Sequence, residues 1–120
     1  MVRMRPSVLI VDDNARFRAA ARAMLDAEGF EVVGEAVDGA AGLEAVAALA
    51  PDVVLLDIQL PTLDGIDVAA LLAAAPRPPV VVLTSTLDAV AYGERLAAAP
   101  VRGFIPKADL SGAALAAVVG

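Results

Sequence analysis

The sequence predicts an α/β fold: a doubly wound, five-stranded parallel sheet covered by helices on both faces, in three layers. Three observations predict it. Short apolar runs alternate five times with longer segments of helical periodicity. Three of the runs are apolar throughout, as strands buried on both faces must be. The other two carry charge or glycine, as edge strands do.

Each element follows from local chemistry. Strand 1, about 7–12, is Val8-Leu-Ile-Val11 ending in Asp12-Asp13. Helix 1, near 15–28, puts Phe17, Ala21, Met24 and Leu25 on one stripe, and Gly29 after Glu28 marks its end. Strand 2, about 31–36, carries Glu31 and Glu35. Helix 2, near 39–50, has Asp38 as N-cap, a stripe of Leu43, Val46, Ala47 and Ala50, and Pro51 as its stop. Strand 3, about 52–57, ends in Asp57. Helix 3, near 65–75, starts from Asp64, aligns Val68, Leu71, Leu72 and Ala75, and stops at Pro76. Strand 4, about 79–84, ends in Thr84. Helix 4, near 87–98, is weakest: Leu87, Val90 and Ala91 align, but Glu94 interrupts the stripe. Strand 5, about 101–106, contains Arg102 and Gly103 and leads into Lys107. Helix 5, near 110–119, takes Asp109 as N-cap.

Strands 2 and 5 as edges give the order 2-1-3-4-5. That order reverses between strands 1 and 3, and ligands in such sheets bind beyond the carboxyl ends of the strands at the reversal. Asp12, Asp13 and Asp57 would flank that crevice.

With 120 residues the chain is expected to be one domain, with a core from about 7 to 119. Apolar residues make up 59%, yet no run reaches the roughly 18 to 20 residues of a membrane span. The N-terminal apolar run is too short for a signal peptide, so a cytoplasmic protein is expected. There is no Cys and no His. Disulfides, thiolate sites, imidazole metal sites and hydrolytic triads are excluded. Net charge is −6 and the nine basic residues are scattered, so direct nucleic-acid binding is not expected.

Three carboxylates at one sheet edge repel one another unless one is protonated or a cation joins them. Oxygen ligands without His or Cys suit a hard ion, and Mg²⁺ fits best because it uses few carboxylates and shares a phosphate. Lys107 adds one positive charge. Such a site can admit a phosphoryl donor, and a carboxylate can attack phosphorus to give an acyl phosphate. Thr84 could then donate its hydroxyl to a phosphoryl oxygen and draw strand 4 with it.

Asp12-Asp13, Leu56-Asp57-Ile-Gln-Leu-Pro61, Asp64-Gly65, Leu83-Thr84-Ser85 and Gly103-Phe104-Ile-Pro-Lys107 together resemble the receiver domain of bacterial two-component response regulators. The resemblance covers about 7 to 119. The order 2-1-3-4-5 is the flavodoxin-like order that receivers share, so topology and resemblance are one expectation, not two. The resemblance implies that Asp57 is the phosphoacceptor. It implies that Asp12, Asp13, Asp57 and the Gln59 backbone carbonyl hold Mg²⁺, or Mn²⁺ in its place. Thr84 is then the switch hydroxyl, Phe104 the switch aromatic and Lys107 the phosphate-facing cation. Gln59 and Thr86 stand where the family tunes phosphoryl lifetime. The implied donor is a phosphohistidine on a sensor histidine kinase or phosphotransfer protein. The face of helix 4, strand 5 and helix 5 would contact partners or form a homodimer.

Departures from the pattern are informative. Ala108 follows Lys107 where many receivers have a proline, so that peptide should be trans. Lys-Ala-Asp-Leu-Ser is closest to the subgroup whose full-length members carry a helix-turn-helix output domain. Pro100-Val101 stiffens the turn into strand 5. Phe104 lacks a hydroxyl. Since the sequence stops just after helix 5, either a stand-alone receiver or part of a longer regulator is expected. Arg95 and Arg102 read as solvated surface.

Three rival readings compete with this one. A pseudo-receiver would bind partners without using Asp57. An aspartate-nucleophile phosphohydrolase needs a second acid two residues on, where Gln59 stands. A flavin carrier needs a neutral Ser/Thr/Gly phosphate loop, and this one is acidic.

Overall fold

The computed structural model describes residues 5–120. Residues 1–4, at the start of the N-terminal segment, lie outside the described residues. Five parallel strands form one sheet: β1 (Ser7–Val11), β2 (Glu31–Ala36), β3 (Val53–Asp57), β4 (Val80–Ser85) and β5 (Gly103–Pro106). Their order is β2-β1-β3-β4-β5, as the edge charges predict. The helices are α1 (Ala15–Ala27), α2 (Gly39–Leu49), α3 (Gly65–Ala73), α4 (Glu94–Ala97) and α5 (Gly112–Val119).

The apolar strands split their side chains between two cores. Leu9, Val11, Val54, Leu56, Val81 and Leu83 pack with Ile66, Val68, Ala69 and Leu72. Their neighbours Val8, Ile10, Val53, Leu55 and Val82 pack on the other face with Ala21, Leu25 and Leu115. A continuous apolar run thus serves both layers, because alternate residues point to opposite faces. Register then fixes the site: Asp57 stands opposite Thr84 across β3 and β4.

Asp38 and Asp64 cap as expected, accepting from the N–H of Ala41 at 2.8 Å and of Asp67 at 3.0 Å. Gly29 adopts φ 105 after α1, where a left-handed residue ends the helix. Pro51 keeps Ala50 out of the right-handed region, and Ala50 closes α2 at φ 45.

Several expectations need correction. Helix 4 does not run from 87 to 98. A 3-10 turn, Ala89–Ala91, is followed by Gly93 at φ 56 and then only four helical residues. The left-handed glycine breaks the helical bonding. Val90, on the expected stripe, is 87% exposed, and Tyr92, Leu96 and Ala99 make the core contacts instead. Helix 5 starts two residues late. Asp109 lies in a 3-10 turn, Lys107–Asp109, and Leu110 is extended and buried. Ser111 is the N-cap, accepting from Ala114 N–H at 2.9 Å. Leu71 is 52% exposed, so the buried face of α3 is Ile66, Val68, Ala69 and Leu72. Strand 5 begins at Gly103, because Val101 and Arg102 are still turning. Among the described residues there is no cis peptide, and no helix is long and apolar enough to cross a membrane.

Candidate functional site

The carboxyl ends of β1, β3 and β4 meet at one edge of the sheet, where Asp12, Asp57 and Thr84 are buried. Asp13 is exposed beside them. Asp12, Asp13 and Asp57 each offer an oxygen, and these atoms lie within 4.8 Å of one another. Lys107, directly after β5, reaches back over them. Its Nζ is 2.7 Å from Asp12 Oδ2 and 3.4 Å from Asp57 Oδ2. The approach to Asp12 is short, yet Asp12 Oδ2 accepts no regular hydrogen bond among the described residues. That contact is an ion pair rather than a well-formed hydrogen bond.

The loops hold the acids from behind. Asn14 N–H donates to Asp12 Oδ1 at 2.8 Å, and Gln59 N–H donates to Asp57 Oδ1 at 3.1 Å. Each carboxylate therefore keeps its second oxygen, Oδ2, towards the pocket. Arg18 secures the Asp12 carbonyl at 2.7 Å. Gly65 makes the β3–α3 turn fit: its N–H donates to the Ile58 carbonyl at 2.9 Å, and a Cβ there would stand 2.2 Å from the Asp57 carbonyl oxygen.

Burial, then the charge of Asp12, pushes the Asp57 carboxyl up to about 6, against the pull of Lys107 and the Gln59 N–H. For Lys107, burial works to lower the ammonium's value, but the contacts with Asp12 and Asp57 prevail and raise it. Lys107 stays charged and Asp57 is mostly ionised at neutral pH. The donor set is hard, anionic and free of nitrogen and sulfur, and Asp12 Oδ2 accepts no regular hydrogen bond among the described residues. These features fit a divalent cation such as Mg²⁺.

The other expected residues surround this core. Thr84 Oγ1 is buried with no hydrogen-bond partner among the described residues. Gln59 and Thr86 meet at the pocket mouth, the Thr86 hydroxyl donating to Gln59 Oε1 at 3.1 Å. Phe104 pairs in register with Leu83 and packs half-buried on the α3 side of the sheet, apart from the acids.

Sequence reasoning missed several neighbours. Phe17, assigned to a core stripe, lies under Lys107, with Nζ 4.3 Å from the ring centroid. Asn14 both supports Asp12 and caps α1 by accepting from Phe17 N–H at 3.0 Å; the Asp-Asp-Asn spacing was the available signal. Ser85 and Tyr92 share a 2.5 Å hydroxyl contact. Arg95 is exposed but not free: it pairs with Asp64 at 3.0 Å and Asp67 at 3.5 Å, tying α4 to the start of α3. Arg102 likewise donates to the Val119 carbonyl at 2.7 Å.

Comparisons with known proteins identify the family and the fold. Residues 8–118 match the response regulator receiver domain family. The signal receiver domain of the putative response regulator NarL from Mycobacterium tuberculosis superposes with a TM-score of 0.84 at 35% identity, covering 98% of this chain and 99% of that one. The response regulator domain of Thermotoga maritima CheB gives a TM-score of 0.82 at 28% identity, covering 96% and 93%. Among curated proteins, the DNA-binding response regulator MtrA of Mycobacterium tuberculosis is 44% identical over 89 residues, which is 72% of this chain and 38% of that protein. Protein-glutamate methylesterase/protein-glutamine glutaminase 5 of Myxococcus xanthus is 50% identical over 80 residues, 66% of this chain and 23% of that protein. The chain thus spans less than half the length of these two curated relatives. Family match, sheet order and neighbours concur: this chain belongs to the receiver domain family of two-component response regulators.

Proposed function

We propose that this receiver is a phosphoacceptor switch that takes its phosphoryl group on Asp57. One observation carries the reading: a buried Asp57 at a strand end with the Lys107 ammonium at 3.4 Å and Asp12 and Asp13 alongside. The donor is a phosphohistidine of a sensor histidine kinase or phosphotransfer protein in the cytoplasm. An Asp57 oxygen attacks phosphorus, the P–N bond breaks, and the imidazole leaves with the electron pair and takes up a proton. Asp12, Asp13, Asp57 and the Gln59 carbonyl would hold Mg²⁺ or Mn²⁺, which when bound offsets charge on the phosphoryl oxygens. Lys107 does the same from the β5 side. The unpartnered Thr84 hydroxyl gains an acceptor in the phosphoryl oxygen, so β4 and the segment after it shift. Phe104 follows that shift, and the face of α4, β5 and α5 passes it to a partner or a second copy. Gln59 and Thr86, at the mouth, set access of water and hence phosphoryl lifetime. The only turnover of such a chain is gain and loss of its own phosphoryl group.

Intact mass after incubation with acetyl phosphate, with and without Mg²⁺, tests the reading. The expected result is one phosphoryl group, dependent on Mg²⁺ and absent in Asp57→Asn. A partner that binds wild type and Asp57→Asn equally, with no mass gain from any phosphodonor, would leave the chain a phosphorylation-independent pseudo-receiver.

A further inference from the structure

We infer that Phe17 is a positioning residue for Lys107, its ring face holding the ammonium beside Asp57 while leaving the carboxylates available to a metal. Among the described residues, the ammonium lies close to Asp12 at 2.7 Å, Asp57 at 3.4 Å and the Phe17 ring centroid at 4.3 Å. A cation over a ring face is attracted by the ring quadrupole. The ring is not placed by chance packing alone. Asn14 ties Asp12 Oδ1 through its own N–H and ties Phe17 N–H through its side chain, so one short turn sets acid and ring together. Farther along the same stripe, Ala21 and Leu25 are fully buried, whereas Phe17 stays partly open at the pocket.

The chemistry explains why a ring suits this position. Lys107 has a flexible stem, and its nearest partner, Asp12, is also a candidate metal ligand. A divalent cation on Asp12 would take that partner and repel the ammonium. A carboxylate beneath Lys107 could hold it but would itself compete for the metal. A neutral ring attracts the ammonium and binds no Mg²⁺. The inference rests on the phosphoacceptor reading for its consequence, though not for its geometry.

Lys107 is the only lysine in the chain, so selective lysine labelling gives one set of NMR signals. In metal-free, unphosphorylated protein, the Lys107 ε-methylene protons should resonate upfield of an exposed lysine through the ring current. Phe17→Tyr should keep that shift; Phe17→Leu should abolish it. Phe17→Met, also ringless, serves if Phe17→Leu lowers the melting temperature. With acetyl phosphate and saturating Mg²⁺, the ringless variants should gain phosphoryl about five- to tenfold more slowly, ~1 to 1.4 kcal/mol on the barrier, and Phe17→Tyr should match wild type. In a Lys107→Met background, Phe17→Leu should add no further loss. Three results would overturn the inference: an unshifted lysine in wild type, ringless variants as fast as wild type, or the same slowing without Lys107. If wild type gains no phosphoryl group from acetyl phosphate or any other phosphodonor, the phosphoacceptor reading fails instead, and the lysine shift alone decides whether Phe17 holds the ammonium.

Discussion

Asp57 carries its negative charge as a cost to the resting fold. Its folded value is raised from 3.8 to about 6, chiefly by burial. The folded state therefore holds the proton more tightly than the unfolded chain, and stability falls as pH rises through that window. Metal-free Asp57→Asn should be more stable than wild type at pH 7 to 8, with the gain vanishing near pH 4; chemical denaturation at several pH values measures it. An equal gain at every pH would show that the Asp57 charge is not responsible. Thr84 makes a parallel case. Its buried hydroxyl has no partner among the described residues, so Thr84→Val should stabilise the resting protein by between zero and ~1 kcal/mol while removing the hydroxyl a phosphoryl oxygen would engage. Asp12, Asp13, Asp57, Thr84 and Lys107 were legible because each lies at the end of an apolar run. Phe17 was not: an aromatic at helical spacing looks the same in sequence whether it fills a core or faces an ammonium.

At the scale of elements, strands were more legible than helices. An apolar run bounded by charge leaves few alternatives, and β2 lies at 31–36 as read. The segment from 87 to 98 defeated periodicity because its aligned residues are not its buried ones. Gly93 at φ 56 resets the phase, so Tyr92, Leu96 and Ala99 face inward. Ser111 rather than Asp109 caps α5 because Leu110 must first bury itself. Hydrogen exchange should find amides 88–98 opening well below the global unfolding free energy, unlike those of α1. The start of α3 is far less forgiving. Gly65→Ala would put a methyl group 2.2 Å from the Asp57 carbonyl, costing roughly 2 to 4 kcal/mol by thermal or urea unfolding and displacing the acid itself. The Asp-Gly pair read from sequence as a helix start; that the turn has no room for a side chain is a fact of close approach between β3 and α3.

For the whole molecule, the sheet concentrates charge that the rest of the fold does not balance. With a net charge of −6 and three converging carboxylates, the resting site should gain more from a divalent cation than from monovalent salt at equal ionic strength. Mg²⁺ at ten to a hundred times its dissociation constant should add ~1.4 to 2.7 kcal/mol of stability, and Asp12→Asn with Asp13→Asn should remove that increment. Sheet order and the meeting of acids at its switch point were legible because edge charges and apolar centres leave one economical arrangement. One feature also makes the molecule its own instrument. The chain has a single tyrosine and no tryptophan, and that phenol is hydrogen-bonded to the hydroxyl of Ser85, next in line after Thr84. Under excitation that the three phenylalanines do not absorb, ultraviolet emission comes from one ring, whose quantum yield depends on a hydrogen bond anchored one residue from the pocket. Label-free fluorescence that changes on adding acetyl phosphate and Mg²⁺ to wild type, and stays constant in Asp57→Asn, would time the motion of β4 directly.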